Sequence, residues 1–226
     1  MGGGQGVQPP GPPPTKPDIP DYFMYPPKTL AQKVFDFIFA PLRLTVLPDA
    51  AVARLGLTSS KVESLRAVTP WLKGRVMDIG CGDNELVRGY GRGVGVDVYD
   101  WGGGALVLPD CARLPFGAGT FDTVTIIAAL NHIPNRREVL REAHRLLANE
   151  GRLLITMINP VISYVGHRCL WWWSEDKERG MAPGEVYGFW NKDLISLVAG
   201  AGFKLGLHKR FVYGLNNLFI FRKADK

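Results

Sequence analysis

Residues 76–84 read VMDIGCGDN, a largely hydrophobic run that leads directly into Gly80-Cys81-Gly82. Glycines at such a position let the backbone approach a ligand closely, because no Cβ stands in the way. The residues that follow predict a helix, whose first backbone amides can face ligand oxygens. Enzymes that bind a nicotinamide dinucleotide use the same arrangement, so the two glycines alone do not identify the ligand.

Two residues in this segment argue against a dinucleotide. The third glycine of the dinucleotide pattern, which packs the helix closely under a pyrophosphate, is replaced by Glu85. Asp78 lies two residues before the first glycine, where its charge disfavours a pyrophosphate. A ligand that carries a sulfonium and an ammonium group makes this carboxylate acceptable. The segment therefore predicts S-adenosyl-L-methionine as the cofactor.

Two further acidic residues have the spacing of a nucleoside site. Asp97 ends a hydrophobic run and can accept hydrogen bonds from both ribose hydroxyls; the alternative is a carboxylate that starts a turn before Asp100. Asp110 can accept from the exocyclic amine of adenine, while the backbone amide of Cys111 can donate to a ring nitrogen. The alternative for Asp110 is a surface turn residue.

Short apolar runs alternate with helical segments from residue 74 onward. A helix is predicted over residues 136–147, where apolar residues recur at helical spacing. Such alternation indicates a parallel sheet with right-handed crossovers. The predicted strands of this part span residues 75–79, 93–97, 105–107, 123–127 and 152–157.

The C-terminal part predicts an antiparallel closure of the sheet. A helix over residues 191–199 precedes two β-like runs, residues 203–213 and 218–222, which a linker of hairpin length connects. The predicted fold is α/β: a Rossmann-like, mostly parallel seven-stranded sheet with helices on both faces and a C-terminal antiparallel hairpin.

The N-terminal part divides into two segments before the α/β domain of residues 73–226. Residues 1–27 are rich in glycine and proline and predict a disordered tail. Residues 28–72 predict a helical cap, which begins with an amphipathic helix that is too charged to span a membrane and is interrupted at Pro41. Ser60-x-x-Glu63 predicts a capping box at the start of the second helix.

Charge and cysteine content narrow the class of protein. The net charge is +6, but the basic residues are scattered, which favours an ordinary solvated surface over a nucleic-acid footprint. The three cysteines form no Cys-x-x-Cys pair, so neither a metal site nor a disulfide framework is expected. A reducing, cytoplasmic location fits this usage and an N-terminus that does not resemble a signal peptide.

Residues 75–158 resemble the small-molecule branch of the class I S-adenosylmethionine-dependent methyltransferases, often called type 11. The resemblance rests on an ordered set of motifs: Asp78-x-Gly80-x-Gly82, Asp97, Asp110, Leu114-Pro115-Phe116, Phe121-Asp122, Leu130-Asn131-His132-Ile133 and Leu146-Leu147-x-x-x-Gly151.

The resemblance assigns each matched position a role. It implies that Gly80 and Gly82 face the methionine part of the cofactor and that Ala128 lies beside this part at the end of the fourth strand. Asp97 would bind the ribose, and Asp110 with Cys111 the adenine.

The chain departs from the family pattern at two places. Asn84 replaces the third small residue of the loop, which is tolerable because asparagine accepts left-handed conformations. Residues 98–109 are too short for the usual second helix and contain Trp101-Gly102-Gly103-Gly104 instead. A glycine loop is expected there, with Trp101 as a candidate stacking face.

Two segments could cover the acceptor, because ligands in this architecture bind beyond the carboxyl ends of the strands: the N-terminal helix and residues 159–190. Residues 159–190 contain Trp171-Trp172-Trp173, which cannot all face one side of a helix or strand. This segment is interpreted either as an aromatic lid over an apolar or ring-bearing acceptor, or as a hydrophobic cap packed on the core.

His132 is the first candidate for a general base, if the acceptor must lose a proton during transfer. It lies just after the fourth strand, and the alternative is a helix-cap or packing role. His167, in the expected lid, is the second candidate.

Three functions are compatible with these residues. The first is methyl transfer to a small-molecule or lipid-like acceptor, mainly by positioning and desolvation. The second is an RNA-modifying methyltransferase, supported only by the positive charge, since residues 128–134 lack an Asn/Asp-Pro-Pro-aromatic clamp. The third is a non-catalytic cofactor-binding module. Residues 35–47 and the basic charge also permit peripheral membrane contact.

Overall fold

The computed structural model describes residues 28–40, 49–161 and 183–224, which form one α/β sheet structure. The strands are β1 (Val76–Ile79), β2 (Gly93–Asp97), β3 (Leu106–Val107), β4 (Phe121–Ile127), β5 (Leu147–Ile158), β6 (Phe203–Phe211) and β7 (Asn216–Lys223). The α-helices are α1 (Leu30–Ile38), α2 (Asp49–Arg54), α3 (Ser60–Val68), α4 (Glu85–Tyr90), α5 (Arg136–Leu146) and α6 (Asn191–Ala199), with short 3₁₀ helices at Thr69–Trp71 and Leu130–His132.

The strands form a seven-stranded sheet in the order β3-β2-β1-β4-β5-β7-β6. The ladders from β3 to β5 are parallel, while β7 is antiparallel to both β5 and β6. This confirms the predicted Rossmann-like sheet and its C-terminal antiparallel pair. β1 lies between β2 and β4, so the segments that follow these three strands meet at one edge of the sheet.

Helices cover both faces of the sheet, and alternate side chains of each strand serve the two faces. On β5, Leu153 and Ile155 join the larger core, which also contains apolar residues of α5 and α6. Leu154 points the other way, into a second core with residues of α3 and α4. Packed helices therefore support the sheet on both faces.

One of the predicted helix starts differs from the structure. α1 begins with a capping box formed by Thr29 and Gln32. α3 begins after Ser59, whose hydroxyl accepts from the amide of Val62 at 3.3 Å. The capping box predicted from Ser60 is therefore wrong, because Ser59 has the extended backbone of an N-cap and Ser60 is already helical.

Three strands start earlier than the sequence predicts. β7 begins at Asn216 instead of residue 218, β5 at Leu147 instead of residue 152, and β4 at Phe121 instead of residue 123. The early starts of β4 and β5 pair with each other, since Phe121 is the partner of Leu147 across an irregular register. No helix lies between β2 and β3, as the length of residues 98–109 predicts.

Polar contacts join the N-terminal helices to each other and to the sheet domain. Lys28 forms ion pairs with Asp36 of α1 and with Glu63 of α3. The Tyr213 hydroxyl, in the turn between β6 and β7, donates to the backbone carbonyl of Lys33 at 2.8 Å. Within the described ranges, no helix combines the length and the apolar character needed to cross a membrane.

Candidate active site

The glycine loop after β1 fits between two neighbouring elements. The amides of Gly80 and Cys81 donate to the carbonyl of Val96 in β2, at 2.9 and 3.2 Å. Gly80 has a φ of +69°, and a Cβ placed on it would lie 2.6 Å from the Cβ of Ala129, just after β4. Only glycine satisfies both the left-handed backbone and this close contact. The loop is thus held against both the β2 and the β4 side of the site.

Asn84 links the glycine loop to the loop that replaces the second helix. Its φ is +60°, a left-handed conformation that asparagine accepts, and it directly precedes α4. Its side-chain amide donates to the carbonyl of Gly103 at 3.3 Å. The two loops therefore form one continuous rim on the β2 side of the site.

Asp97 lies at the end of β2, directly beside the glycine loop. Its side chain is buried, and Oδ2 accepts from the amide of Gly82 at 2.9 Å. Oδ1 accepts from the amide of Tyr99 at 3.1 Å, so the residue also starts a turn. A carboxylate has about four acceptor positions, so capacity remains on both oxygens for ligand hydroxyls.

Asp78 is buried under the glycine loop. The hydroxyl of Thr125 in β4 donates to its Oδ1 at 2.6 Å. Burial raises the pKa of Asp78 to about 7, and the charges of Asp97 and Asp83 act in the same direction, while the Thr125 bond opposes them. Near neutral pH this carboxyl is therefore poised between its two charge states, and a nearby cation would favour the ionised form.

Asp110 is exposed in the loop after β3, where two donors fix its carboxylate. Its Oδ1 accepts from the amide of Ala112 at 2.8 Å and from the side chain of Asn135 at 2.9 Å. These hydrogen bonds keep the pKa of Asp110 below its usual value. Asn135, at the start of α5, is a contact that the sequence pattern did not indicate. The neighbouring Cys111 is buried, and burial raises the pKa of its thiol to about 11.

A second contact fixes the same loop to α5. Glu142 accepts from the amide of Leu114 at 2.8 Å, and Arg145 donates both to Glu142 and to the carbonyl of Phe116. The hydrogen bond from Arg145 lowers the pKa of Glu142, so the pair stays charged. The loop that carries Asp110 is thereby anchored independently of any ligand.

The aromatic residue expected near the adenine side is on the surface. Trp101 is 47% exposed and packs edge-to-face on Tyr99, with ring centroids 5.0 Å apart. Its ring is therefore available on the same rim as Asp97.

Ala128 has a left-handed backbone at the end of β4. Its φ is +50°, and its amide donates to the carbonyl and the hydroxyl of Thr156, at 3.2 and 3.1 Å. A non-glycine residue in this region is strained and persists only where its surroundings determine it. Such strain is common at functional sites, and here it lies beside the residue that contacts Gly80.

His132 has a carboxylate partner that sequence spacing did not reveal. Its Nδ1 lies 3.3 Å from Oε2 of Glu185, which is 53 residues away in the chain. The side chain of Glu185 is 3% exposed and that of His132 is 24% exposed. A buried carboxylate therefore faces one nitrogen of an imidazole that is itself accessible.

Most residues of the expected aromatic lid were named from the sequence alone. Tyr164, His167 and Trp171-Trp172-Trp173 lie outside the described residues. The described end of that segment carries Tyr187 and Trp190, which are exposed, and Phe189, which packs on the larger core.

A cavity of about 320 Å³ opens beside this segment, between the starts of α5 and α6. None of the predicted cofactor residues lines it, so it is separate from the glycine loop. Its lining comprises Pro134, Arg136, Arg137, Glu138, Phe189, Asp193 and Leu197.

The remaining histidines and cysteines of the described ranges have packing roles. Nε2 of His208 donates to Oδ1 of Asn217 at 2.8 Å, and its ring stacks on Phe219, while His144 packs edge-to-face on Phe203. Burial raises the pKa of the Cys81 thiol, so it stays protonated. Within residues 28–40, 49–161 and 183–224, no group of histidine, cysteine and acidic side chains could hold a metal ion.

Comparisons with known proteins agree with this architecture. The family model described as "Methyltransferase domain" matches residues 47–207, which is more than half of the chain. A demethylmenaquinone methyltransferase of Thermotoga maritima is 28% identical over 97 residues, which cover 43% of this chain and 35% of that protein. A ubiquinone biosynthesis O-methyltransferase of Pseudomonas aeruginosa is 30% identical over 103 residues, which cover 38% of this chain and 44% of that protein. The chain thus spans less than half the length of these two relatives.

Solved structures share the fold at low sequence identity. A possible histamine N-methyltransferase of Thermotoga maritima has a TM-score of 0.56 at 19% identity, with 85% of this chain and 96% of that chain covered. A 1,6-didemethyltoxoflavin-N1-methyltransferase of Burkholderia thailandensis has a TM-score of 0.53 at 17% identity, with 89% and 94% covered.

The matched region contains the glycine loop, the acidic ends of the first two strands and His132, in the chain order and sheet order described above. The chain therefore belongs to the methyltransferase-domain family.

Proposed function

We propose that this protein is an S-adenosylmethionine-dependent methyltransferase that acts on a small, ring-bearing acceptor. The observation that carries the cofactor assignment is the contact between Asp97 and the amide of Gly82. This contact places a carboxylate with remaining acceptor capacity beside a backbone that has no Cβ, which suits a nucleoside with two ribose hydroxyls.

The residues around the glycine loop fit a sulfonium nucleoside better than a pyrophosphate. Asp97 is a buried carboxylate beside this loop, and Asp78 adds a second negative charge whenever it is ionised, so the loop would repel a dinucleotide phosphate. When bound, S-adenosylmethionine supplies an electrophilic methyl group. In this proposal Gly80, Gly82 and Ala128 border its methionine part.

The residues of the chain would bind and orient the cofactor and would exclude water from the site. Asp97 binds the ribose, and Asp110 with the amide of Cys111 binds the adenine. Asn135 holds Asp110 in place by a hydrogen bond of 2.9 Å. Methyl transfer from a sulfonium needs mainly such positioning, so these roles account for most of the catalysis that the protein must provide.

The relatives favour a ring-bearing acceptor. Two of them are named for quinone biosynthesis and one structural neighbour for a toxoflavin precursor. Tyr187 and Trp190 are exposed at the described end of the lid segment, where they could contact a ring.

The proposal is tested by following a labelled methyl group. The protein is incubated with methyl-labelled S-adenosylmethionine and a panel of hydroxylated quinols and phenols, with total RNA as a separate arm. We expect label in the small-molecule fraction, and strongly reduced label with Asp97→Ala at the same, subsaturating cofactor concentration. Label only in RNA, or in neither arm, would contradict the proposal.

A further inference from the structure

The His132–Glu185 pair is built into the fold from both sides. His132 ends the 3₁₀ helix after β4, and its amide donates to the carbonyl of Ala129 at 2.9 Å. Glu185 is carried by the described end of the lid segment, where the amide of Val186 donates to the carbonyl of Asn131 at 3.0 Å. These backbone bonds fix the two side chains relative to each other.

Arg136 anchors the same segment a second time. Its guanidinium donates to the carbonyl of Gly184 at 2.5 Å and lies over the ring of Phe189, 5.3 Å from the centroid. Its charge also faces Glu185. The carboxylate of Glu185 is thus held between a cation and the imidazole, with its side chain almost fully buried.

His132 lies one 3₁₀ turn after Ala129, which neighbours the glycine loop. Ala129 is the residue whose Cβ would touch a Cβ on Gly80, and the carbonyl of Ala129 holds the amide of His132. The imidazole is therefore attached to the segment that borders the proposed methionine site. Its Nδ1 faces Glu185, and the part of the chain that the structure describes supplies no partner for its Nε2.

We propose that Glu185 is a positioning residue that makes His132 the base for an acceptor hydroxyl. This inference rests on the proposed methyltransferase function and adds the acceptor class: a phenolic or enolic hydroxyl that carries its proton when it binds. A carboxylate can only accept, so it selects the imidazole tautomer with the proton on Nδ1 and leaves the lone pair of Nε2 for the acceptor.

The step balances with the groups named. The acceptor oxygen forms its bond to the methyl carbon, and the electron pair of the broken carbon–sulfur bond stays on sulfur, which becomes a thioether. The hydroxyl proton moves to Nε2 of His132, and the resulting imidazolium is stabilised by the carboxylate of Glu185. No oxidant, reductant or metal ion enters the balance.

The first test reads the imidazole without turnover. The full chain is labelled with ¹⁵N, and long-range proton–nitrogen spectra report which ring nitrogen carries the proton; His132→Gln assigns the signal. We expect His132 as the Nδ1-protonated tautomer near pH 8. Glu185→Leu should move it toward the Nε2-protonated form, and Glu185→Gln, which preserves shape, should weaken the preference.

Glu138→Gln is the matched control, because Glu138 is an exposed carboxylate on the first turn of α5 that pairs with Arg141. It should leave the His132 tautomer unchanged. A wild-type His132 protonated on Nε2, or a tautomer that neither Glu185 variant alters, overturns the inference.

The second test separates a base from a structural role. Phenol reaches the site with its proton, whereas 4-nitrophenol is largely ionised near pH 8 and needs no base. Glu185→Gln should lower kcat for phenol about 10-fold, and His132→Gln about 100-fold. Both variants should stay within about twofold of wild type for 4-nitrophenol.

The outcomes distinguish this inference from the proposed function. Equal losses for both phenols assign Glu185 a structural role and overturn the inference. A wild type that binds S-adenosylhomocysteine but methylates neither phenol overturns the hydroxyl-acceptor class. A wild type that does not bind S-adenosylhomocysteine contradicts the proposed function, while the tautomer test still decides the His132–Glu185 pairing.

Discussion

At the level of single residues, Asp97 joins the glycine loop to the end of β2. Its two oxygens accept from the amides of Gly82 and Tyr99, so the carboxylate is oriented before a ligand arrives. Preorganisation of this kind lowers the entropic cost of binding. The proposed ribose contacts should therefore contribute measurably to affinity.

Replacement of Asp97 tests that contribution. Asp97→Ala should weaken binding of S-adenosylhomocysteine by about 1.5–3 kcal/mol, because charge-assisted hydrogen bonds are lost. Isothermal titration calorimetry measures the change, and Glu150→Ala, which removes an exposed carboxylate on β5, is the control. If Asp97→Ala binds S-adenosylhomocysteine as tightly as the control does, Asp97 does not bind the ribose.

Asp78 makes stability depend on pH in a defined direction. Burial raises its pKa in the folded state to about 7 from the ordinary value of 3.8, so between these two pH values the folded chain binds more protons than the unfolded chain. Stability therefore falls as pH rises from about 4 to about 7 and levels off above that.

Asp78→Asn should abolish this part of the pH dependence. Urea unfolding of wild type and variant at several pH values gives the difference between the two curves, in which other titrating groups cancel. The variant should gain about 1–3 kcal/mol relative to wild type between pH 5 and pH 8. A difference that stays constant with pH would show that Asp78 is ionised throughout.

At the level of elements, the site depends on how closely the glycine loop approaches the segment after β4. A Cβ on Gly80 would lie 2.6 Å from Ala129, whereas Gly56, in the turn after α2, has a nearly equal φ of +68° with nothing within 4 Å. The two positions share backbone strain and differ in contact.

Alanine at these two glycines separates strain from contact. Gly56→Ala should cost about 1–2 kcal/mol, the penalty of a left-handed alanine. Gly80→Ala should cost about 2–5 kcal/mol, because overpacking against Ala129 is added. Urea denaturation checks both values; equal losses would mean that the loop does not press on the β4 side.

The sequence located elements well where glycine or acidic residues end them. β2 and α6 have the predicted bounds, and Asp97 ends β2 as expected. The start of β5 was predicted too late because Leu147 pairs with Phe121 across an irregular register, and such tertiary pairing leaves no local pattern.

The sequence indicated the glycine and acidic positions of the candidate site, together with Cys111, Ala128 and His132, but it did not indicate Asn135 or Glu185. Glycines and strand-end carboxylates have fixed local spacing, so they could be found in one sequence. Asn135 and Glu185 are brought to Asp110 and His132 by packing of distant segments. No spacing rule connects residues 53 positions apart. The roles assigned to all of these residues stay predictions.

At the scale of the whole molecule, α1 presents an apolar surface next to the sheet domain. Leu30, Phe37 and Ile38 are more than half exposed, and Phe37 packs edge-to-face on Tyr213 at 4.9 Å. With a net charge of +6, such a surface suits reversible contact with an anionic membrane.

Co-sedimentation with anionic vesicles tests this contact. We expect binding at low salt that weakens as salt is added, because screening removes the electrostatic part. Leu30→Gln combined with Ile38→Gln should reduce binding about 10-fold, while Val107→Gln, at the other edge of the sheet, should not. Absence of binding at low salt excludes the membrane contact.

The cofactor assignment is the claim on which the rest of this account depends, and calorimetry with two ligands tests it most directly. S-adenosylhomocysteine and NAD are titrated separately into the wild-type chain. We predict a dissociation constant of about 1–100 μM for S-adenosylhomocysteine and no detectable heat of binding for NAD. Binding of NAD with no binding of S-adenosylhomocysteine would contradict the account.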